Sequence, residues 1–183
     1  MKITIILGSI RKNRRSGSVA FHLKKLLEQE YATEAVMLDL RDYPFPVMEE
    51  RYRLLDNPPS FMEEFSRHLS DSDGIIIVTP EYNGSYSGAL KNALDYFKPE
   101  YHKKPMGVVT VSDGQWGGIN ASHHLQAWML HVKAVPSPFK LMVQNASSVF
   151  DDEGQLKDPA LNGKAEKFLE EFFWLTKSIS GKN

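Results

Sequence analysis

Apolar positions along this chain follow two rhythms. Short continuous runs rich in β-branched residues predict strands buried on both faces, and stretches with an apolar residue every third or fourth position predict amphipathic helices. Ile3-Thr4-Ile5-Ile6-Leu7 is the first such run, and Val19, Leu23, Leu26 and Leu27 follow at helical spacing. Ala35 to Leu40 predicts a second strand, and Phe61, Phe65 and Leu69 mark one face of a short helix. Gly74-Ile75-Ile76-Ile77-Val78-Thr79 is the clearest buried strand; a helix carrying Leu90, Ala93, Leu94 and Phe97 comes after it. Met106 to Val111 predicts a fourth strand, followed by a helix with Leu125, Trp128 and Met129. A fifth strand is expected in Lys140-Leu141-Met142-Val143, after Pro136-Ser137-Pro138. Asp158-Pro159 opens the last helix, whose stripe is Leu161, Ala165, Phe168, Leu169 and Phe172.

Strands alternating with helices in this way require parallel pairing and right-handed crossovers. The pattern predicts a single α/β domain over 1–183, without repeats or low-complexity tracts. Strand order is left open by the pattern. The order 2-1-3-4-5 would gather the turns after strands one, three and four in one crevice at the carboxyl edge of the sheet. One stretch breaks the rhythm. Between Arg41 and Pro59, Pro44, Pro46, Pro58 and Pro59 predict an irregular excursion, a candidate lid or oligomer contact.

Composition narrows the chemistry. The 22 Lys and Arg against 23 Asp and Glu give a formal charge of −1, so the chain lacks the global basic field of a nucleic-acid binder. It has no cysteine, which excludes disulfides, zinc thiolates and thiol catalysis. No signal peptide precedes the first strand and no apolar run nears the roughly 20 residues that span a bilayer, so a cytoplasmic location away from membranes is expected. His123, His124 and His131 lack a carboxylate at metal-site spacing, and no metal is expected.

The three turns carry the candidate chemistry. In the first, Gly8 permits a tight turn, Ser9, Ser16 and Ser18 offer hydroxyls, and a helix amino end follows: together an anion site suited to a phosphate, with Arg11 available for bidentate pairing. No Gly-Lys-Ser/Thr is present, which disfavours ATP hydrolysis. The second turn is Pro80-Glu81-Tyr82-Asn83-Gly84-Ser85; Asn83-Gly84 favours positive φ, with backbone amides turned outward toward a planar ring instead of into a ladder. Glu81 either pairs across a subunit interface or caps its own turn. In the third, Ser112, Gly114, Gln115, Gly117 and Gly118 leave room for the polar edge of a heterocycle, and Trp116 among them is expected to be exposed and to stack on a ligand or partner.

At these residues the chain resembles the NADPH-dependent FMN reductase family. The likeness rests on Gly8-Ser9-Ile10-Arg11, on Pro80 through Ser85 with Gly88, Leu90-Lys91-Asn92-Ala93 and Asp95, on Ser112, Gly114, Gly117 and Gly118, and on a tail from Val149 to Gly154. It departs in the longer Lys12-Asn13-Arg14-Arg15 insert and in Tyr96-Phe97, where many members carry a tryptophan. The resemblance implies a flavodoxin-like three-layer sandwich on a five-stranded parallel sheet of order 2-1-3-4-5. It implies FMN as cofactor, NADPH (or NADH) as the hydride donor, a homodimer or homotetramer, and a small-molecule acceptor: a flavin, quinone, azo compound or metal oxyanion. The cofactor residues it implies are Ser9, Arg11, Ser16 and Ser18 for the phosphate. Pro80, Glu81, Tyr82, Asn83, Gly84 and Ser85, with Ser112, Gly114, Gln115, Gly117 and Gly118, border the ring.

No protein acid or base is obligatory for that chemistry, so no catalytic residue is assigned. Arg14 and Arg15 are candidates for the 2′-phosphate of NADPH, or else neutralise the FMN phosphate or are merely solvated. Phe45, Pro46, Met48, Phe173 and Trp174 serve either a dimer contact or the core. The alternative from another class is an FMN-binding electron carrier or redox sensor acting through a protein partner; the near-neutral charge and the Ser/Arg first loop argue against a carrier.

Overall fold

The computed structural model describes residues 1–151 and 153–181; Asp152, within the tail compared above, lies outside the described residues. The parallel strands are β1 (Lys2–Leu7), β2 (Glu34–Asp39), β3 (Gly74–Tyr82), β5 (Pro105–Val111), β6 (Val135–Pro136) and β7 (Leu141–Val143). β4 (Ser85–Tyr86) is a short antiparallel addition to the end of β3. The order is β2-β1-β3-β5, with β6 and β7 both pairing with β5. β1 lies in register against both neighbours, Ile5 opposite Met37 and Ile76.

The fifth position of the sheet is therefore split. β6 pairs with the start of β5 and β7 with its end, and the break falls at Pro136-Ser137-Pro138. A proline has no N–H for the ladder, so the strand leaves the sheet there. The expected order 2-1-3-4-5 holds, with Val135–Pro136 as an additional piece that the sequence pattern does not show.

Two helices, α1 (Arg15–Gln29) and α6 (Ala160–Ser180), contribute to the core on one face of the sheet. On the other, α2 (Ser60–Asp71), α3 (Gly88–Asp95) and α4 (Ile119–His131) cover Ile6, Ile75, Ile77 and Val108. A four-residue helix, α5 (Ala146–Val149), follows β7. Helix–sheet–helix layering follows directly from strands apolar on both faces.

The 41–59 excursion packs onto the α2–α3 face. Phe45 meets Phe61 and Phe65 edge-on at 5.1 Å each. The Met48 N–H donates to Asn92 Oδ1 at 2.9 Å, and Asn92 Nδ2 donates to the Pro46 carbonyl at 2.7 Å. Its one turn of 3₁₀ helix, Tyr52–Leu54, is held by Arg53, which pairs with the buried Glu100 at 3.0 Å. Phe173 is buried and stacks on Tyr31, whereas Trp174 is exposed. Among the described residues no helix is long and apolar enough to cross a membrane.

Candidate functional site

The turns after β1, β3 and β5 emerge at the carboxyl edge, joined by the turn after β7, and each is tied to its neighbours. The Gly8 N–H donates to the Val78 carbonyl at 2.8 Å, and the Ser87 hydroxyl, which caps α3, donates to the Gly8 carbonyl. Ser9 Oγ lies 3.0 Å from the Tyr82 hydroxyl, joining the first loop to the second. The Arg11 guanidinium carbon sits 5.5 Å from the Tyr82 ring centroid, a cation–π distance. Glu81 joins the second loop to the third: Oε2 accepts the Ala121 N–H at 3.0 Å at the start of α4. That is a cap on another element instead of on its own turn.

The third loop is tightly fixed. Gly118 has φ +84°, and a Cβ there would lie 2.9 Å from the Thr110 Cβ, so glycine is required on both counts. Thr110 Oγ1 donates to the Gly117 carbonyl at 2.7 Å, and Asp113 Oδ1 accepts the Ser147 N–H at 2.7 Å. Trp116, between these fixed points, is 66% exposed.

Asn83 and Gly84 both have positive φ, 49° and 79°, and close a two-residue hairpin in which Tyr82 pairs with Ser85 and Glu81 with Tyr86. The flanks of this turn thus do enter a short ladder. Ser85 Oγ at its end lies 3.0 Å from His124 Nδ1. Among the described residues no group of three His, Cys, Asp or Glu is placed to hold a metal ion.

Between the loops is a cleft of about 460 Å³, within the size range of small-molecule sites. Of the expected residues, Arg11, Ser16, Pro80, Glu81, Tyr82, Ser112 and Gly114 line it. Ser9 is fully buried behind Tyr82. Asn83, Gly84 and Ser85 form the hairpin tip, Gln115 is exposed, and Gly117 and Gly118 are buried under α4's first turn. Ser18 stands apart, facing two other surface cavities beside Phe21 and Gly154. Arg14 lines the cleft but its guanidinium is bound by Asp39, with side-chain exposures of 8% and 13%. Asn13, Asp113, Ala146 and Ser147 also line the cleft and were not anticipated. The last two follow Asn145, whose φ of 45° makes the same Asn/Ser turn after an apolar strand that marks the other loops.

One end of the cleft fits a phosphate. Ser16 is 2% exposed, and its hydroxyl is buried without a hydrogen-bond partner. It lies in the first turn of α1, which has no side-chain cap and no acidic residue to repel an anion. A buried hydroxyl without a partner is costly unless a ligand satisfies it.

The strand order and the crevice at the carboxyl edge of the sheet are those of a flavodoxin-like α/β protein. The model of the NADPH-dependent FMN reductase family matches residues 1–148, and the chain belongs to that family. It is 33% identical over 178 residues to a quinone reductase of Pseudomonas putida, covering 93% of this chain and 89% of that one. It is 33% identical over 154 residues to an NADPH azoreductase of a Bacillus species, covering 84% and 82%. Among solved structures it resembles FerB, a flavoenzyme NAD(P)H:(acceptor) oxidoreductase from Paracoccus denitrificans. That likeness has a TM-score of 0.80 and 25% identity, over 96% of this chain and 97% of that one. The chain is thus an FMN-dependent oxidoreductase of the NADPH-dependent FMN reductase family.

Proposed function

We propose that the cleft between the three loops is the cofactor and acceptor site, with the phosphate of FMN at the amino end of α1. The observation that carries this is the buried, unpartnered Ser16 hydroxyl on the cleft wall. Ser16 and the first-turn amides would hold the phosphate, and Arg11 would add a charge-assisted bond. Ser9 acts at one remove, orienting Tyr82 through its hydroxyl. The Pro80–Ser85 hairpin and the Ser112–Gly118 loop would border the ring, held at a fixed spacing by Glu81. Bound FMN would supply the two-electron chemistry between NADPH (or NADH) and the acceptor.

The acceptor in this reading is a flavin, quinone, azo compound or metal oxyanion; the reduction of a quinone and of an azo compound by relatives 33% identical to this chain supports that range. The reading includes a homodimer or homotetramer in the cytoplasm. The test is an anaerobic titration of the FMN-loaded protein with NADPH, then with a quinone, an azo dye and free flavin. Loss of flavin absorbance with NADPH and recovery with an acceptor support the reading. Binding without bleaching would indicate a carrier or sensor.

A further inference from the structure

We propose that Arg14 and Arg41, both anchored on Asp39, are positioning residues that shape the loop from Ser9 to Asn13 into a cup of backbone N–H groups for the cofactor phosphate. The proposal rests on the reading of that loop as the phosphate end of the site.

Four consecutive carbonyls of this loop accept from the two guanidinium groups. Arg14 donates to Ser9 O at 2.5 Å. Arg41 donates through Nε to Ile10 O at 3.4 Å, and through one terminal nitrogen to Arg11 O and to Lys12 O, the latter at 2.6 Å. Asp39, the last residue of β2, holds the Arg14 guanidinium and the backbone from which the Arg41 side chain extends. Its two oxygens take the Arg14 fork, one at 2.6 Å, and Oδ1 also accepts the Arg41 backbone N–H at 3.0 Å.

A trans peptide unit is planar, with its C=O and N–H opposed. Carbonyls of residues 9 to 12 drawn toward the arginines therefore turn the N–H groups of Ile10, Arg11, Lys12 and Asn13 the other way. Those four amides find no backbone acceptor among the described residues. Arg41 and Lys12 line a groove on one side of the loop, Arg11, Asn13 and Ser16 line the cleft on the other, and Arg14 lies between them and lines both. Successive N–H groups facing one concavity are the elements of an anion nest. The Lys12-Asn13-Arg14-Arg15 insert thus carries its own brace, and Arg14 is spent on it: with its guanidinium on Asp39, it is not the ligand of an NADPH 2′-phosphate.

A competing account is that the arginines act only through their positive field. The two accounts differ in sign at Asp39. Asp39→Asn removes a negative charge near the anion, so a field alone tightens FMN binding, whereas loss of the anchor weakens it. Arg41→Lys keeps the charge but cannot span three carbonyls.

The experiment measures dissociation constants for FMN and for riboflavin, which lacks the phosphate, by quenching of flavin fluorescence, with thermal melts of each apoprotein. Wild type should prefer FMN. Arg41→Lys and Asp39→Asn should each raise the FMN constant about tenfold, the scale of one charge-assisted bond, and leave that for riboflavin unchanged. Unaltered FMN affinity in Arg41→Lys, or tighter binding in Asp39→Asn, overturns the brace while leaving the phosphate site intact. Equal affinity of wild type for FMN and riboflavin overturns the phosphate reading itself, and the brace with it. If Asp39→Asn does not fold, the solvent-exposed Arg41→Lys decides alone.

Discussion

The carboxylate of Glu81 caps the amino end of α4, forty residues further along the chain: Oε2 accepts the Ala121 N–H at 3.0 Å and Oε1 the Asn120 side-chain amide at 3.4 Å. The residue at the N-cap position is Gly118, which has no side chain to offer, and α4's first turn holds no acid of its own. An anion there satisfies a free N–H and meets the positive end of the helix dipole. Glu81→Ala should cost about 1 kcal/mol, lowering Tm by about 2–4 °C for a chain of this size. Glu81→Gln, which keeps an acceptor, should cost less. Calorimetry of the two variants checks this, and an unchanged Tm in Glu81→Ala would remove the cap from the account.

Ser16→Ala should separate stability from binding. In the apoprotein the change deletes a buried hydroxyl that has no partner, so Tm should hold or rise slightly. FMN affinity should fall about tenfold, the loss of one hydrogen bond to a charged group. Apo melts and FMN titration of the same preparation test both halves. A destabilised apoprotein with normal FMN affinity would make Ser16 a packing residue only.

Arg53 pins the excursion to the body of the protein. The Glu100 side chain is 1% exposed, yet it accepts from Arg53, the Ser66 hydroxyl at 2.9 Å and the Lys98 N–H at 3.2 Å. Stripping a buried acid of its cation costs about 3–5 kcal/mol when both partners are buried. Here Arg53 is 62% exposed and two donors remain, so Arg53→Ala should cost about 1–2 kcal/mol. In a Glu100→Gln background the same change should cost little, a coupling that urea denaturation of the double-mutant cycle measures.

The sheet was legible because its strands are apolar on both faces, and that signal does not depend on tertiary context. Ile3–Leu7 and Gly74–Thr79 fall within β1 and β3. The second turn was legible because Asn83-Gly84 favours positive φ, and the structure shows it at both; Gly117 and Gly118 read only as room for a ligand edge, and their positive φ emerges from the structure. What sequence spacing could not show is which distant groups the fold pairs. Asp39 reads as the polar end of a strand until the parallel register of β1 and β2 brings it beside the first loop. Ser18 reads like Ser16 until the helix turns it to another face, because residues two apart on a helix do not share a side. The second piece of the fifth strand was hidden by its prolines, and Ala146-Ser147 by a helix of one turn.

Alkaline stability gives a last test, centred on Tyr86 in β4. Its phenol is pushed up to about 12, by burial first and then by the Asp95 carboxylate, from an ordinary value of 10. Between those two values the unfolded phenol has ionised and the folded one has not, so the folded state binds more protons. The contribution is complete below pH 10 and is lost as pH rises toward 12. Tyr43, also raised to about 12, by burial and Glu64, adds to the same slope. Tyr86→Phe removes one titrating group from the folded protein and leaves the ring's packing in place. The urea midpoint of wild type should therefore fall more steeply than that of Tyr86→Phe between about pH 9 and pH 11. Parallel declines in the two proteins would mean that the Tyr86 hydroxyl reaches solvent and that β4 is not held against α3 and α4 at alkaline pH.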